Sequence, residues 1–166
     1  MYLLCNLDDE HYTESIYEWH KTMDDAKERC VEMEVEVQGE EMREEILSHM
    51  EFYPVDESKC KFTDVPGIKS YRYDYHIGTS FTVNQIFEIP DDLLGEFLCI
   101  WYHAYDGVDF YVETIGSFDE CLERKEAEEK DALANGYTLQ ESYQDFGCVD
   151  TDTEWECWNI LTALRA

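Results

Sequence analysis

The sequence predicts an α+β fold built from antiparallel β-hairpins with packed helices, and three observations point there. Strand-like runs come in pairs joined by short turn signals. Capped helical segments follow two of those pairs. No Pro-, Gly- or Ser-rich linker divides the 166 residues, which favours one compact domain, 1–166, with two lobes, 1–94 and 95–166, as the alternative division.

Shifting the chain by 95 residues aligns 2–29 with 97–124 without a gap. Identities are few, namely Leu3/Leu98, Glu18/Glu113, Asp24/Asp119, Glu28/Glu123 and Arg29/Arg124, but apolar and capping positions correspond. Each copy reads as strand, turn, strand and helix. The helices open at Thr22–Asp25 and Ser117–Glu120, both of capping-box form, in which a hydroxyl caps a backbone N–H and the acid three residues on reaches back. The second copy carries the sharper turn, Asp106-Gly107, and its helix ends at Asn135-Gly136, a left-handed stop. An internal ββα repeat and two unrelated ββα units with shared punctuation both fit this pattern.

Between the copies, 42–50 places Met42, Ile46, Leu47 and Met50 on one helical face. Residues 70–89 alternate Tyr71, Tyr73 and Tyr75 with polar residues, turn near Gly78 and continue in β-rich residues, a third hairpin. A buried sheet face accounts for the tyrosine stripe, and an exposed interaction face is the other reading. Pro90 with Asp91 and Asp92 starts a short helical turn. A further short helix is expected at 139–146 and a last strand at 154–161.

Hydrophobic residues make up 44% and aromatics 14%, so the chain has the means for a real core and lacks the composition of a disordered acidic chain. Forty Asp and Glu face twelve Lys and Arg, a net charge of -28. Solubility asks for a magnitude of only about 2 to 8. A compact body of this length is on the order of 40 Å across, and duplex DNA carries 28 charges over roughly 48 Å of axis. The charge density is therefore close to that of DNA. Such a field repels nucleic acid and anionic membranes and favours basic protein surfaces as partners.

The seven cysteines are scattered, without a close pair, as expected of reduced thiols in a cytoplasmic protein rather than a disulfide framework. The first residues lack a basic n-region and cleavage-site pattern, so neither signal peptide nor membrane span is expected. A phosphate loop, nucleophile elbow, HExxH or CxxC is lacking, and the five His show no zinc-like spacing. Residues 150–156 alternate carboxylates but lack the Gly and late Glu of a calcium loop. The expectation is a protein without catalytic residues, metal or cofactor.

The acids themselves are the candidate site. Val31, Met33, Val35 and Val37 alternate with Glu32, Glu34 and Glu36. If extended, the three Glu share a face at about 6.6 Å spacing. If helical, acids at i and i+4 lie about 6 Å apart. Further runs are Glu40, Glu41, Glu44 and Glu45, then Glu123, Glu126, Glu128, Glu129 and Asp131, with Asp150–Glu156 in reserve. In small size, extreme acidity and aromatic content the chain resembles the acidic DNA-mimic inhibitors of phages and mobile elements, including anti-CRISPR and anti-restriction proteins. The resemblance is one of composition across the chain. It implies a non-catalytic inhibitor whose carboxylates engage the nucleic-acid-binding surface of a Cas effector or restriction enzyme in the host cytoplasm. An immunity protein or antitoxin neutralising a basic toxin is the alternative, and an enzyme or sensor with incidental acidity is the third.

Overall fold

The structure, a computed structural model, describes residues 1–8, 16–55, 68–77, 80–104, 108–139, 149–150 and 155–163. It is an α+β fold with two five-stranded antiparallel sheets. The first contains β1 (Tyr2–Asp8), β2 (Ile16–His20), β3 (Tyr53–Pro54), β4 (Lys69–Ile77) and β5 (Ser80–Glu88), in the order β2-β1-β5-β4-β3. The second contains β6 (Phe97–Ala104), β7 (Val108–Gly116), β8 (Thr138–Leu139), β9 (Val149–Asp150) and β10 (Trp155–Thr162), in the order β7-β6-β10-β9-β8. Helix α1 (Met23–Gln38) follows β2, and α3 (Phe118–Ala134) follows β7. Among the described residues the short α2 (Arg43–His49) has no counterpart in the second half, where residues 135–137 alone separate α3 from β8.

The two halves therefore share one topology, and the match extends to register. Tyr2 pairs with Glu88 and Leu4 with Ile86, while Phe97 pairs with Thr162 and Cys99 with Ile160. Just beyond these pairs the Ile89 N–H donates to the Met1 carbonyl at 2.9 Å, as the Ala163 N–H does to Glu96 at 2.8 Å. The repeat is thus ββαβββ, three strands longer than the sequence shift reveals. Those strands sit at a different offset, 74 between Glu88 and Thr162, because the first half is longer both through α2 with its flanks and from β3 to β5.

Strand alternation decides the layers. Leu3, Cys5, Leu7, Val83 and Phe87 of the first sheet meet Leu98, Ile100, Tyr102, Phe110 and Val112 of the second in one buried cluster. Leu4 and Ile86 face the other way and pack on Ala26, Cys30 and Met33 of α1. Cys99, Trp101 and Trp158 likewise pack on Cys121 and Ala132 of α3. The molecule is a four-layer sandwich, helix, sheet, sheet, helix. Two amides stitch its inner layers: Gln85 Oε1 accepts the Phe110 N–H at 3.3 Å, and Asn159 Nδ2 donates to the Tyr17 hydroxyl at 3.0 Å. Gln85 and Asn159 are themselves equivalent in the repeat, opposite Cys5 and Ile100 respectively.

Residues 31–37 are helical. The Thr22 hydroxyl accepts the Asp25 N–H at 3.0 Å and starts α1, which runs on through the alternating stretch. The alternation arises because α1 packs on two neighbours: Met33 turns to the sheet, whereas Val31 and Val35 meet Ile46 of α2. Helix α2 packs through a narrow face. Ile46 is fully buried, but Leu47, about 100° further round, is 54% exposed, contrary to its expected place on the apolar face. The capping box is complete at Ser117, whose hydroxyl accepts from the Glu120 N–H while the Glu120 carboxylate accepts from the Ser117 N–H.

The hairpin β4–β5 and the turn at Asp91–Leu93 form as the sequence predicts. Tyr73 is buried against Phe52 and Tyr71 is half-buried, which places the described part of the tyrosine stripe on a packed face. The tips at Asp106-Gly107 and Gly78 and the expected helix at 139–146, apart from Leu139 in β8, lie outside the described residues, as do 151–154 of the reserve acidic run. Cys5, Cys30, Cys99 and Cys121 are free and buried, but Cys157 is disulfide-bonded, which corrects the expectation of an entirely reduced set. Spacing along the chain cannot report which sulfurs a fold brings within bonding range. Among the described residues no helix is long and apolar enough to cross a membrane.

Candidate functional site

The acidic runs lie on the two outer layers, on opposite sides of the paired sheets. The first surface comprises α1, the 3-10 turn Glu40–Met42 and α2. Gly39 makes the bend between helices possible: its φ is +103°, and a Cβ there would lie 2.6 Å from Glu41 Oε2. Glu36, Glu40, Glu41, Glu44 and Glu45 are exposed and Glu32 is half-exposed. Glu34 is 1% exposed and accepts a hydrogen bond from Gln38 Nε2 at 3.0 Å, so burial removes it from the surface array expected of it.

Arg43 lies between two carboxylates. It donates to both oxygens of Glu32 (2.5 and 3.1 Å) and both of Glu40 (2.6 and 2.9 Å). These bonds hold the Glu32 and Glu40 carboxyls below the usual range and push the Arg43 guanidinium up. Arg29 is spanned by Glu18, 3.0 Å away, and Glu36, 2.9 Å away. The ammonium of Lys27 lies over the Phe52 ring, 5.6 Å from its centroid. The three cations of α1 and α2 thus have partners within their own layer or on β2 beneath it, while Glu41, Glu44 and Glu45 face solvent.

The second surface is α3. Glu123, Glu126 and Asp131 are exposed; Glu128 pairs with Arg124 at 3.1 Å and Glu129 with Lys125 at 3.1 Å. With two sheets between them, the clusters at 32–45 and 123–131 lie on separate faces.

Sequence reasoning missed an ion pair common to both halves. Glu18 takes Arg29, and 95 residues later Glu113 takes Arg124, through Nε at 2.8 Å and Nη2 at 2.6 Å. The alignment of both pairs in the shifted sequences was the available signal. In β7 the register shifts opposite Cys99 and Ile100, leaving Glu113 as the extra, bulged residue. It is only 3% exposed.

Beside that pair lies a cavity of about 350 Å³ between α3 and the outward face of the second sheet. Its floor is an aromatic row that follows from strand register: Tyr111, Trp101 and Trp158 stand opposite one another on β7, β6 and β10. Trp101 stacks on Tyr111 with centroids 4.8 Å apart and lies 6.5 Å from Trp158. Four carboxylates and one guanidinium complete the wall, together with His103, Asn135 and Tyr137.

The free thiols among the described residues are buried. Burial pushes the Cys30 and Cys99 thiols up to about 12, and raises Cys5 and Cys121, which disfavours the nucleophilic thiolate. Among the described residues no three His, Cys, Asp or Glu are placed to hold a metal ion. No family model, curated protein or solved structure matches this chain.

Proposed function

We propose that the protein is a non-catalytic acidic inhibitor that binds the basic nucleic-acid-binding surface of another protein, a Cas effector or restriction enzyme, in place of the nucleic acid. The observation that supports this reading is the first outer layer. Its one arginine among the carboxylates of the 3-10 turn and α2, Arg43, is held by Glu32 and Glu40, so Glu41, Glu44 and Glu45 present charge that it does not offset. Removal of Glu34 from this face reduces the array but leaves Glu41, Glu44 and Glu45 as its exposed centre. Such a face steers a basic partner toward it and weakens with salt.

The test is capture of nucleic-acid-binding proteins on the immobilised chain, then competition with duplex DNA at two ionic strengths. The expected outcome is mutual exclusion with DNA, weaker capture at higher salt, and a reduced salt slope for Glu44→Lys/Glu45→Lys. A partner that carries this protein and DNA together without mutual weakening overturns the mimic reading. Exclusive capture of a toxin replaces it with an immunity role.

A further inference from the structure

We propose that the cavity beside α3 is a binding site for an organic cation, an ammonium or guanidinium group on an aliphatic stem. This goes beyond the inhibitor reading and stands independently of it, because it concerns the opposite outer layer and can be tested on the protein alone.

The repeat supplies the first reason. In the first half, the places of Trp101 and Trp158 are taken by Asn6 and Asn84, whose side chains hydrogen-bond to each other at 2.7 Å. The same face receives Met50 and Phe52, which pack against Leu4, Ala26, Cys30, Met33 and Ile86. Both lie in the stretch through and just beyond α2 that the second half lacks. There α3 passes through Asn135 and Tyr137 directly into β8, and the space remains a cavity.

The lining then selects the occupant. Glu113, Glu128, Asp131 and Glu156 stand against one guanidinium, Arg124, which already bridges Glu113 and Glu128. The cavity adjoins the C-terminal end of α3, whose last turn has no basic residue. An anion is disfavoured on each count. The floor offers aromatic faces, on which an aliphatic stem packs and to which a cation is attracted. The volume is at the low end for small-molecule sites, right for one short chain. A free organic cation and a lysine or arginine side chain share this chemistry.

The experiment titrates the ¹⁵N-labelled protein at fixed ionic strength with butylguanidinium, butylammonium and neutral butylurea, reading the indole N–H resonances. Both cations are expected to shift Trp101 and Trp158 but not Trp19, and to bind about tenfold more tightly than butylurea. Asp131→Asn/Glu156→Gln, at partly exposed positions that leave the aromatic floor intact, should erase most of that preference. Glu44→Gln/Glu45→Gln on the opposite layer should not change it. Equal binding of butylurea, a preference unaffected by Asp131→Asn/Glu156→Gln, or no shift of Trp101 and Trp158 overturns the proposal. A Gly/Ser peptide with one central Arg separates the sources: binding as tight as butylguanidinium supports a protein side chain, and binding of the free cations alone supports a small molecule.

Discussion

Arg124 reaches Glu113 with two nitrogens, 2.8 and 2.6 Å from the same carboxylate oxygen, and Glu113 is all but sealed from water while Arg124 is more than a third exposed. The burial of this pair is unequal, so its two deletions should differ. Arg124→Ala leaves a buried carboxylate with one positive neighbour fewer, and an expected loss of about 2–3 kcal/mol follows, below the 3–5 of a fully buried pair because of Arg124's exposure. Glu113→Gln keeps a hydrogen-bond acceptor and should cost less. Urea unfolding of both variants checks the order; equal losses would show that Glu113 is as solvated as its partner.

Helix α2 offers a sharper contrast between adjacent residues. Ile46 meets Val31 and Val35 in a closed cluster, whereas Leu47 projects outward. Ile46→Ala should destabilise by about 2–4 kcal/mol and Leu47→Ala by about 0.5 kcal/mol or less. Reversal of that order in thermal unfolding would mean that α2 rolls by a residue on α1.

Stability should depend on pH in two phases. From neutrality toward the isoelectric point, near 4.2, protonation of exposed acids relieves self-repulsion, and the melting temperature should rise. Glu32 and Glu40, beside Arg43, and Glu120, held chiefly by the Ser117 backbone N–H, have folded values below their ordinary 4.5. Their stabilisation is complete above about 4.5 and is lost as pH falls through the lower folded values. A melting temperature that peaks near pH 4–5 and drops below it is therefore expected in a calorimetric series. A monotonic rise to pH 3 would show that these pairs contribute nothing.

The sequence carried β1, β2, β4 to β7 and β10, the caps and the first three elements of the repeat, because alternation, hydroxyl caps and turn residues act over a few positions; the two-residue strands β3, β8 and β9 are too short to show a pattern. It did not carry the last three strands as repeat elements, since their equivalence rests on register against β1 and β6, not on shared residues. Residues 31–37 show why periodicity alone falls short. An alternating stretch reads as a strand unless a helix is flanked on two sides, and the second flank, Ile46, lies nine residues or more away. Glu34 was indistinguishable from Glu32 and Glu36 for the same reason. The cavity follows from residues the second half lacks, and only the two sheets side by side reveal it.

The shared core between the sheets bears on how the chain is made. Each sheet is drawn from its own half, but Leu3, Leu7, Val83 and Phe87 share their buried cluster with Leu98, Ile100, Tyr102, Phe110 and Val112 of the second sheet. On a ribosome adding about 5–20 residues per second, the first sheet waits roughly 4–15 s for the second, with an oily face open to every other nascent copy. Acids outnumber bases in that first half, and like-charged half-chains keep apart.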